Sequence, residues 1–308
     1  MSEPGTASGG FTDIRRGDWI DRLLPARLAP YARLARLDRP IGTWLLLFPG
    51  WWSLALASPA APDLRLMALF AVGALLMRGA GCTFNDIVDR DFDAKVARTA
   101  TRPIPSGAVT PRQAAMFLGL QLLLAFVVLL QLNAFAVGLG AASLLLVAAY
   151  PFMKRITYWP QAFLGLTFNW GALLGWAAAT QGLAAPAFLL YAGGIAWTLF
   201  YDTIYAHQDK EDDALVGVKS TALKLGAETR PWLLGFGVVT VILWALALAV
   251  AGLGWPAYAG LAGAAALMLW QAFATDFDDP ADCLAKFRAH RWLGWMMLAG
   301  ILLSPVLG

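Results

Sequence analysis

Apolar stretches of about 20 residues, the length an α-helix needs to cross about 30 Å of hydrocarbon, follow one another through most of this 308-residue chain. They fall near residues 41–59, 64–84, 113–132, 134–152, 160–180, 186–206, 232–252, 256–275 and 290–307. Backbone surrounded by lipid must satisfy its own hydrogen bonds, which leaves helices or a closed barrel, and runs this long and continuous are helical. The composition agrees, with 59% hydrophobic and 14% charged residues against about 45–50% and about 25% in a soluble domain. The expected fold is all-α, a polytopic membrane protein with about nine transmembrane helices around a central cavity. The 2 cysteines, Cys82 and Cys283, give no disulfide framework, and a net charge of +3 points to no nucleic-acid partner.

The first ten residues, MSEPGTASGG, read as a disordered tail without the apolar core of a signal peptide. Beyond Arg15 and Arg16, from Trp19 to Arg39, Leu, Ala and Tyr alternate with Arg22, Arg27, Arg33 and Arg36. That pattern predicts an amphipathic helix on an anionic membrane surface. Residues 1–32 are therefore read as tail and interfacial segment, and 33–308 as a single transmembrane domain. Lys and Arg crowd one side of it: Arg90, Lys95, Arg98, Arg102 and Arg112, then Lys154 and Arg155, then Lys210, Lys219, Lys224 and Arg230, then Lys286, Arg288 and Arg291. The other side holds Arg65. By the positive-inside rule the basic side is cytoplasmic, and the expected location is a bacterial inner membrane.

Two polar stretches interrupt this apolar background. In RGAGCTFNDIVDRDFDAKVARTATRPIPSG, residues 78–107, Asn85, Asp89 and Asp93 recur every fourth residue with Asp86 alongside, so a continuing helix stacks their oxygens on one face. In YDTIYAHQDKEDDALVGVKS, residues 201–220, Asp202, Asp209 and Asp213 are spaced for one helix face, with Asp212 beside them. Two acidic faces at the ends of two spans predict one shared site. Carboxylate and amide oxygens favour a hard cation such as Mg²⁺, usually held by one or two carboxylates plus substrate phosphates. Arg98, Arg102, Lys210, Lys219, Tyr150 and Lys154 nearby call for an anion as well. A metal-bridged diphosphate on a lipid reconciles the two signs.

GCTFNDIVDRDFD followed by RTATRPIPSG resembles the NDxxDxxxD and RPxxSG segments of the UbiA-type intramembrane aromatic prenyltransferases, and YDTIYAHQDKEDDALVGVKST resembles that family's second motif. RLDRPIGTWLL, residues 36–46, and YPFMKRITYWPQ, residues 150–161, extend the likeness over nearly the whole chain from about Leu34. Within the family the chain is most similar to the branch that acts on 4-hydroxybenzoate in ubiquinone synthesis. One departure is His290 in FRAHRWLG, where Asn is expected.

The resemblance implies transfer of a polyprenyl group from its diphosphate to the carbon ortho to the hydroxyl of 4-hydroxybenzoate. It implies Mg²⁺ held by Asn85, Asp89, Asp93, Asp209, Asp212 and Asp213. Substrate contacts are expected from Arg98, Arg102, Tyr150, Lys154, Lys210, Asp38 and Arg39, and catalytic roles from Asp202, Asp86 and Arg78. Asp202 would orient or deprotonate the phenol. Arg78, inside a span where an arginine is expensive and functional by default, would hold the acid's carboxylate. The partners are then a polyprenyl diphosphate, the aromatic acid and membrane lipid. Rival readings are the same chemistry on homogentisate, a naphthoate or haem, and an intramembrane cation transporter.

Overall fold

A computed structural model describes residues 14, 17–58, 60–96 and 99–307. The N-terminal tail and Arg15, Arg16 and Arg98 lie outside these. Among the described residues every regular element is helical, and seven helices are long and apolar enough to cross a membrane. Nine spans were expected. The difference lies in Ile41–Leu56, apolar but shorter, and in Pro280–Leu307, long but opening on Asp282, Lys286, Arg288 and Arg291. The chain divides into two compact units, one formed by residues up to Pro40 with Leu76–Leu123, the other by Ile41–Leu75 with Leu124 onward.

The first unit opens with two short helices, α1 (Trp19–Leu23) and α2 (Ala29–Leu34), where one amphipathic helix was expected. Pro25 is the reason: Leu24 before it is extended at φ −101° and ψ 142°, because a proline ring excludes its predecessor from helical backbone. Arg22 and Arg27 remain exposed. Arg33 turns back to Asp21 at 2.6 Å, and Arg36 is buried, so half of the basic face expected on lipid points inward. Leu34, Ile104, Val109 and Ala114 close this unit's small core, with Tyr31 set edge-on to Phe117.

In the second unit α3 (Ile41–Leu56), α6 (Ala134–Ile156), α7 (Pro160–Phe168), α8 (Trp170–Thr180) and α9 (Ala185–His207) are followed by the short α10 (Lys210–Val216) and α11 (Thr221–Leu225). The long α12 (Thr229–Val250), α13 (Trp255–Ala274) and α14 (Pro280–Leu307) complete it. The remaining helices, α4 (Leu64–Asp93) and α5 (Pro111–Leu129), contribute residues to both units. Trp52, Trp197 and Trp244, all fully buried, meet at ring separations of 5.0–5.6 Å. Each indole N–H finds an acceptor: Gly294 O for Trp52, Leu190 O for Trp244 and His290 Nδ1 for Trp197. A buried indole needs such a partner.

The expected span 160–180 stands as one of the seven, and its α-helical pattern is interrupted at Asn169, whose side-chain amide donates to Gly165 O and Thr198 Oγ1. An Asn amide competes with the backbone for helical hydrogen bonds. Helices α3 and α8 approach through glycine, since a Cβ on Gly175 would stand 2.6 Å from Gly50 O. Gly175→Ala should therefore overpack this contact and cost about 1–3 kcal/mol, read as a lower unfolding temperature in detergent; an unchanged temperature would count against the close approach.

Candidate active site

The first acidic motif closes the 30-residue α4, which runs unbroken from Leu64 to Asp93. Asn85, Asp89 and Asp93 therefore share a helix face, as the spacing predicts. Asp86, Asp89 and Asp93 are only 0%, 1% and 8% exposed, which excludes solvated loop charge. Buried carboxylates need partners, and two arginines supply them for Asp86 and Asp93. Arg36 Nη2 donates to Asp86 Oδ1 at 2.8 Å. Arg102 Nη1 donates to Asp93 Oδ2 at 2.9 Å and stands 3.5 Å from Asp86 Oδ1. Thr99 Oγ1 donates to the Asp93 carbonyl, fastening the chain just before the TRPIPSG segment to the end of α4. Asp86 Oδ2 is buried without a hydrogen-bond partner.

Arg36 is the functional residue that sequence reasoning missed. Counted among the basic residues of a surface helix, it instead adopts φ 56° after α2 and reaches into the carboxylates. A bulky residue in left-handed backbone is worth noticing. The available signal was its place at the head of the family stretch RLDRPIG. Asp38 and Arg39, expected at substrate, pair with each other at 3.0 Å. Arg78 is half-buried on α4, two turns before Asn85. Arg98 lies outside the described residues.

The second motif departs from the expected single face. α9, carrying Asp202, stops at His207, and α10 restarts at Lys210. Asp209 sits in the gap at φ −116° and ψ 4°, so Asp202 and Asp213 belong to different helices. Gly217, at φ 76°, closes α10 with its N–H on Asp213 O. Asp202, Asp209, Asp212 and Asp213 are all half-buried. Lys210, expected to meet an anion, bonds Asp278 and lies 3.5 Å from the Phe277 carbonyl.

Tyr150 and Lys154 lie in the last turns of α6, half-buried. Their segment is sewn to the second motif. Lys219 N donates to Lys154 O at 2.8 Å, Lys219 Nζ to Ile156 O, and Thr221 N to Gln161 Oε1. Thr203 and Thr221 hydroxyls meet at 2.8 Å. His290 is fully buried in the core, accepting at Nδ1 from Trp197, so Nε2 carries the proton it gives Gln271 Oε1 at 2.8 Å. Its ring is a packing and hydrogen-bonding element.

Among the described residues no three His, Cys, Asp or Glu side chains converge closely enough to cage a metal by themselves. Mg²⁺ does not need such a cage, because water and phosphate complete its shell. Oxygen donors throughout, with a buried Asp86 oxygen lacking a partner, fit a hard cation of that kind.

Comparison with known proteins follows this geometry. The chain matches the UbiA prenyltransferase family over residues 46–299. It belongs to that family. The curated 4-hydroxybenzoate polyprenyltransferase, mitochondrial, of Arabidopsis thaliana is 55% identical over 295 residues, 94% of this chain and 72% of that protein. The Homo sapiens protein of the same description is 53% identical over 284 residues, 91% and 76% of the two chains. The 4-hydroxybenzoate geranyltransferase 1 of Lithospermum erythrorhizon is 46% identical, covering 95% of this chain and 97% of its own. Among solved structures, the apo UbiA homologue from Aeropyrum pernix K1 superposes with TM-score 0.71 at 24% identity, over 84% of this chain and 97% of that one. A UbiA homologue from Archaeoglobus fulgidus bound to GPP and Mg²⁺ gives 0.62 at 16% identity, over 90% and 100%. These two likenesses establish the UbiA fold.

Proposed function

We propose that this UbiA-family protein transfers a polyprenyl group from polyprenyl diphosphate to the ring carbon ortho to the hydroxyl of 4-hydroxybenzoate, releasing diphosphate, as a step of ubiquinone synthesis. The carrying observation is the row of buried carboxylates on α4, held by Arg36 and Arg102, in a chain 46–55% identical to 4-hydroxybenzoate prenyltransferases. Asn85, Asp89 and Asp93 of the first motif and Asp209, Asp212 and Asp213 of the second would hold Mg²⁺. The UbiA homologue recorded with GPP and Mg²⁺ supports a metal of this class. When bound, the ion would neutralise charge on the departing diphosphate.

The chain's own residues do the rest. Arg98, Arg102, Lys154, Lys210 and the Tyr150 hydroxyl donate to diphosphate oxygens; a guanidinium has five N–H donors, so Arg102 can serve Asp93 and an anion together. Asp38 and Arg39, which pair with each other, are further candidates for substrate contact. As the allylic C–O bond breaks, its electron pair leaves with the diphosphate, and the ortho carbon supplies the pair for the new C–C bond. Asp202 takes the phenol proton, because a phenolate is the better ring nucleophile; the ring proton then passes to water to restore aromaticity, and Asp202 returns its proton to the phenolate oxygen. Asp86, clamped by Arg36, orients the face that carries Asn85 and Asp89. Arg78 holds the carboxylate of the aromatic acid through its planar fork.

The deciding experiment supplies membranes containing the protein with polyprenyl diphosphate, Mg²⁺ and 4-hydroxybenzoate and reads lipid extracts by mass. A prenylated 4-hydroxybenzoate is expected; product only with homogentisate, a naphthoate or haem would overturn the acceptor, and donors of graded length separate geranyl from longer-chain transfer. Arg78→Ala should weaken 4-hydroxybenzoate use by about 1.5–3 kcal/mol, the worth of hydrogen bonds to a charged group, or roughly 10- to 150-fold. The apparent constant for the diphosphate should stay put. An unchanged constant for the aromatic acid would eliminate that role.

The protein is integral to a membrane, and the Lys and Arg count supports both acidic motifs on the side that retains positive charge, which we propose is the cytoplasmic face of a bacterial inner membrane. The curated relatives from Arabidopsis thaliana and Homo sapiens are described as mitochondrial. A reporter placed after Gly107 should read cytoplasmic and one after Gly308 should read external. The reverse pattern would invert the topology.

A further inference from the structure

The α13–α14 turn, TDFDDPAD, carries four aspartates that neither the metal nor the substrates account for. Three of them serve their own backbone. Asp276 Oδ1 accepts from Asp278 N, Asp279 Oδ1 from Ala281 N, and Asp282 Oδ2 from Asp276 N, while Asp282 Oδ1 takes Lys286 Nζ. These bonds stiffen the turn, and the Cys283 thiol adds another to Asp276 O. Asp278 reaches away from α13 and α14, to Lys210 at the start of α10. That hydrogen bond and the ammonium charge hold the Asp278 carboxyl below the usual carboxylate range. The neighbouring Phe277 sets its ring 4.7 Å from the His207 ring at the end of α9. On its far side His207 Nε2 meets Thr229 Oγ1 at 3.0 Å, and because that hydroxyl donates to Gly226 O, Nε2 carries the hydrogen.

His207 and Lys210 bracket Gln208 and Asp209, the two residues at which the helix stops. Neither residue is a glycine or a proline, and Asp209 makes no side-chain cap on α10, so local sequence supplies little reason to stop there. The reason lies outside the segment. We propose that the Thr275–Asp279 turn positions the second acidic motif, Phe277 gripping His207 and Asp278 gripping Lys210, so that the backbone carrying Asp209 is held open between α9 and α10. Asp278 and Phe277 are positioning residues for the metal and diphosphate half of the site. The inference rests on the reading of Asp209 and Asp213 as metal ligands.

An exposed ion pair contributes at most about 1 kcal/mol, a factor of about five. Asp278→Ala should therefore raise the apparent constants for Mg²⁺ and for polyprenyl diphosphate two- to fivefold and leave that for 4-hydroxybenzoate unmoved. Asp278→Glu should restore most of the loss. Phe277→Ala, which removes the stacking partner, should do more, about tenfold. Hydrogen exchange supplies a readout that needs no turnover: backbone amides of residues 207–216 should exchange faster in both variants, in membrane-embedded protein without substrate. Unchanged exchange there in both variants would overturn the positioning role, as would a fall in kcat with all three apparent constants intact. Absence of prenyl transfer in the unaltered protein would refute the proposed reaction instead, and the exchange result would still decide the role of the turn.

Discussion

Arg36→Ala should remove about 3–5 kcal/mol of folding stability, the cost of leaving one member of a buried ion pair without the other. Native domains hold only about 5–15 kcal/mol in all, so a large share of the protein should fail to accumulate in membranes. Asp86 is fully buried, and the guanidinium of Arg102, 3.5 Å from the same oxygen, is too distant to replace a contact of 2.8 Å. Arg36→Gly separates two causes. Glycine tolerates the positive φ of 56°, which costs other residues about 1–2 kcal/mol, so this variant should recover that increment and still lose the charge. Thermal unfolding in detergent orders the three proteins as native, then glycine, then alanine. Alanine at the native unfolding temperature would show that the pair contributes nothing to the fold.

Chelation of divalent metal should abolish turnover, and Asp89→Asn should reduce it about 10²–10³-fold, the scale seen when one preorganised group facing developing charge is removed. Asparagine keeps the shape of the buried side chain, so the variant should still insert in normal amount. The loss belongs mainly to kcat, because charge on the leaving group is greatest in the transition state. Restoring Mg²⁺ after chelation should restore the native protein but not the variant. Full turnover in excess chelator would remove the metal from the reaction altogether.

What the sequence disclosed depended on range. The helix of α4 and the shared face of Asn85, Asp89 and Asp93 follow from a spacing within one element, and the structure keeps both. Pro25 announced the end of α1 to any reader who weighed it above the pattern of arginines, and Asn169 supplied a side-chain amide that bonds Gly165 O and Thr198 Oγ1 where α7 gives way to α8. Arg36 and the break before α10 were harder, because each is decided by residues distant in the chain: Asp86 stands 50 positions from Arg36, and Asp278 stands 68 positions from Lys210. Periodicity reports which face of a helix is apolar. It is silent about an arginine that leaves its helix to meet a carboxylate, and about a turn that holds another helix apart. The resemblance to a family marked the stretches that matter, RLDRPIG and YPFMKRITYWPQ, without saying what they touch.

The 30 residues of α4 amount to about 45 Å of helix, while the hydrocarbon is about 30 Å thick. With Leu64 set at one surface of the hydrocarbon, Arg78 would lie about 21 Å along the helix, roughly two-thirds of the way across, and Asp86 about 33 Å along, beyond the acyl chains. A single helix of this length is enough to join two solvents. Prenyl transfer beside these carboxylates would give two products of opposite solubility, a diphosphate anion that leaves with the water and a prenylated aromatic acid whose chain stays in the bilayer. Their separation into different phases opposes the back reaction, and the length of a single helix sets where that partition takes place.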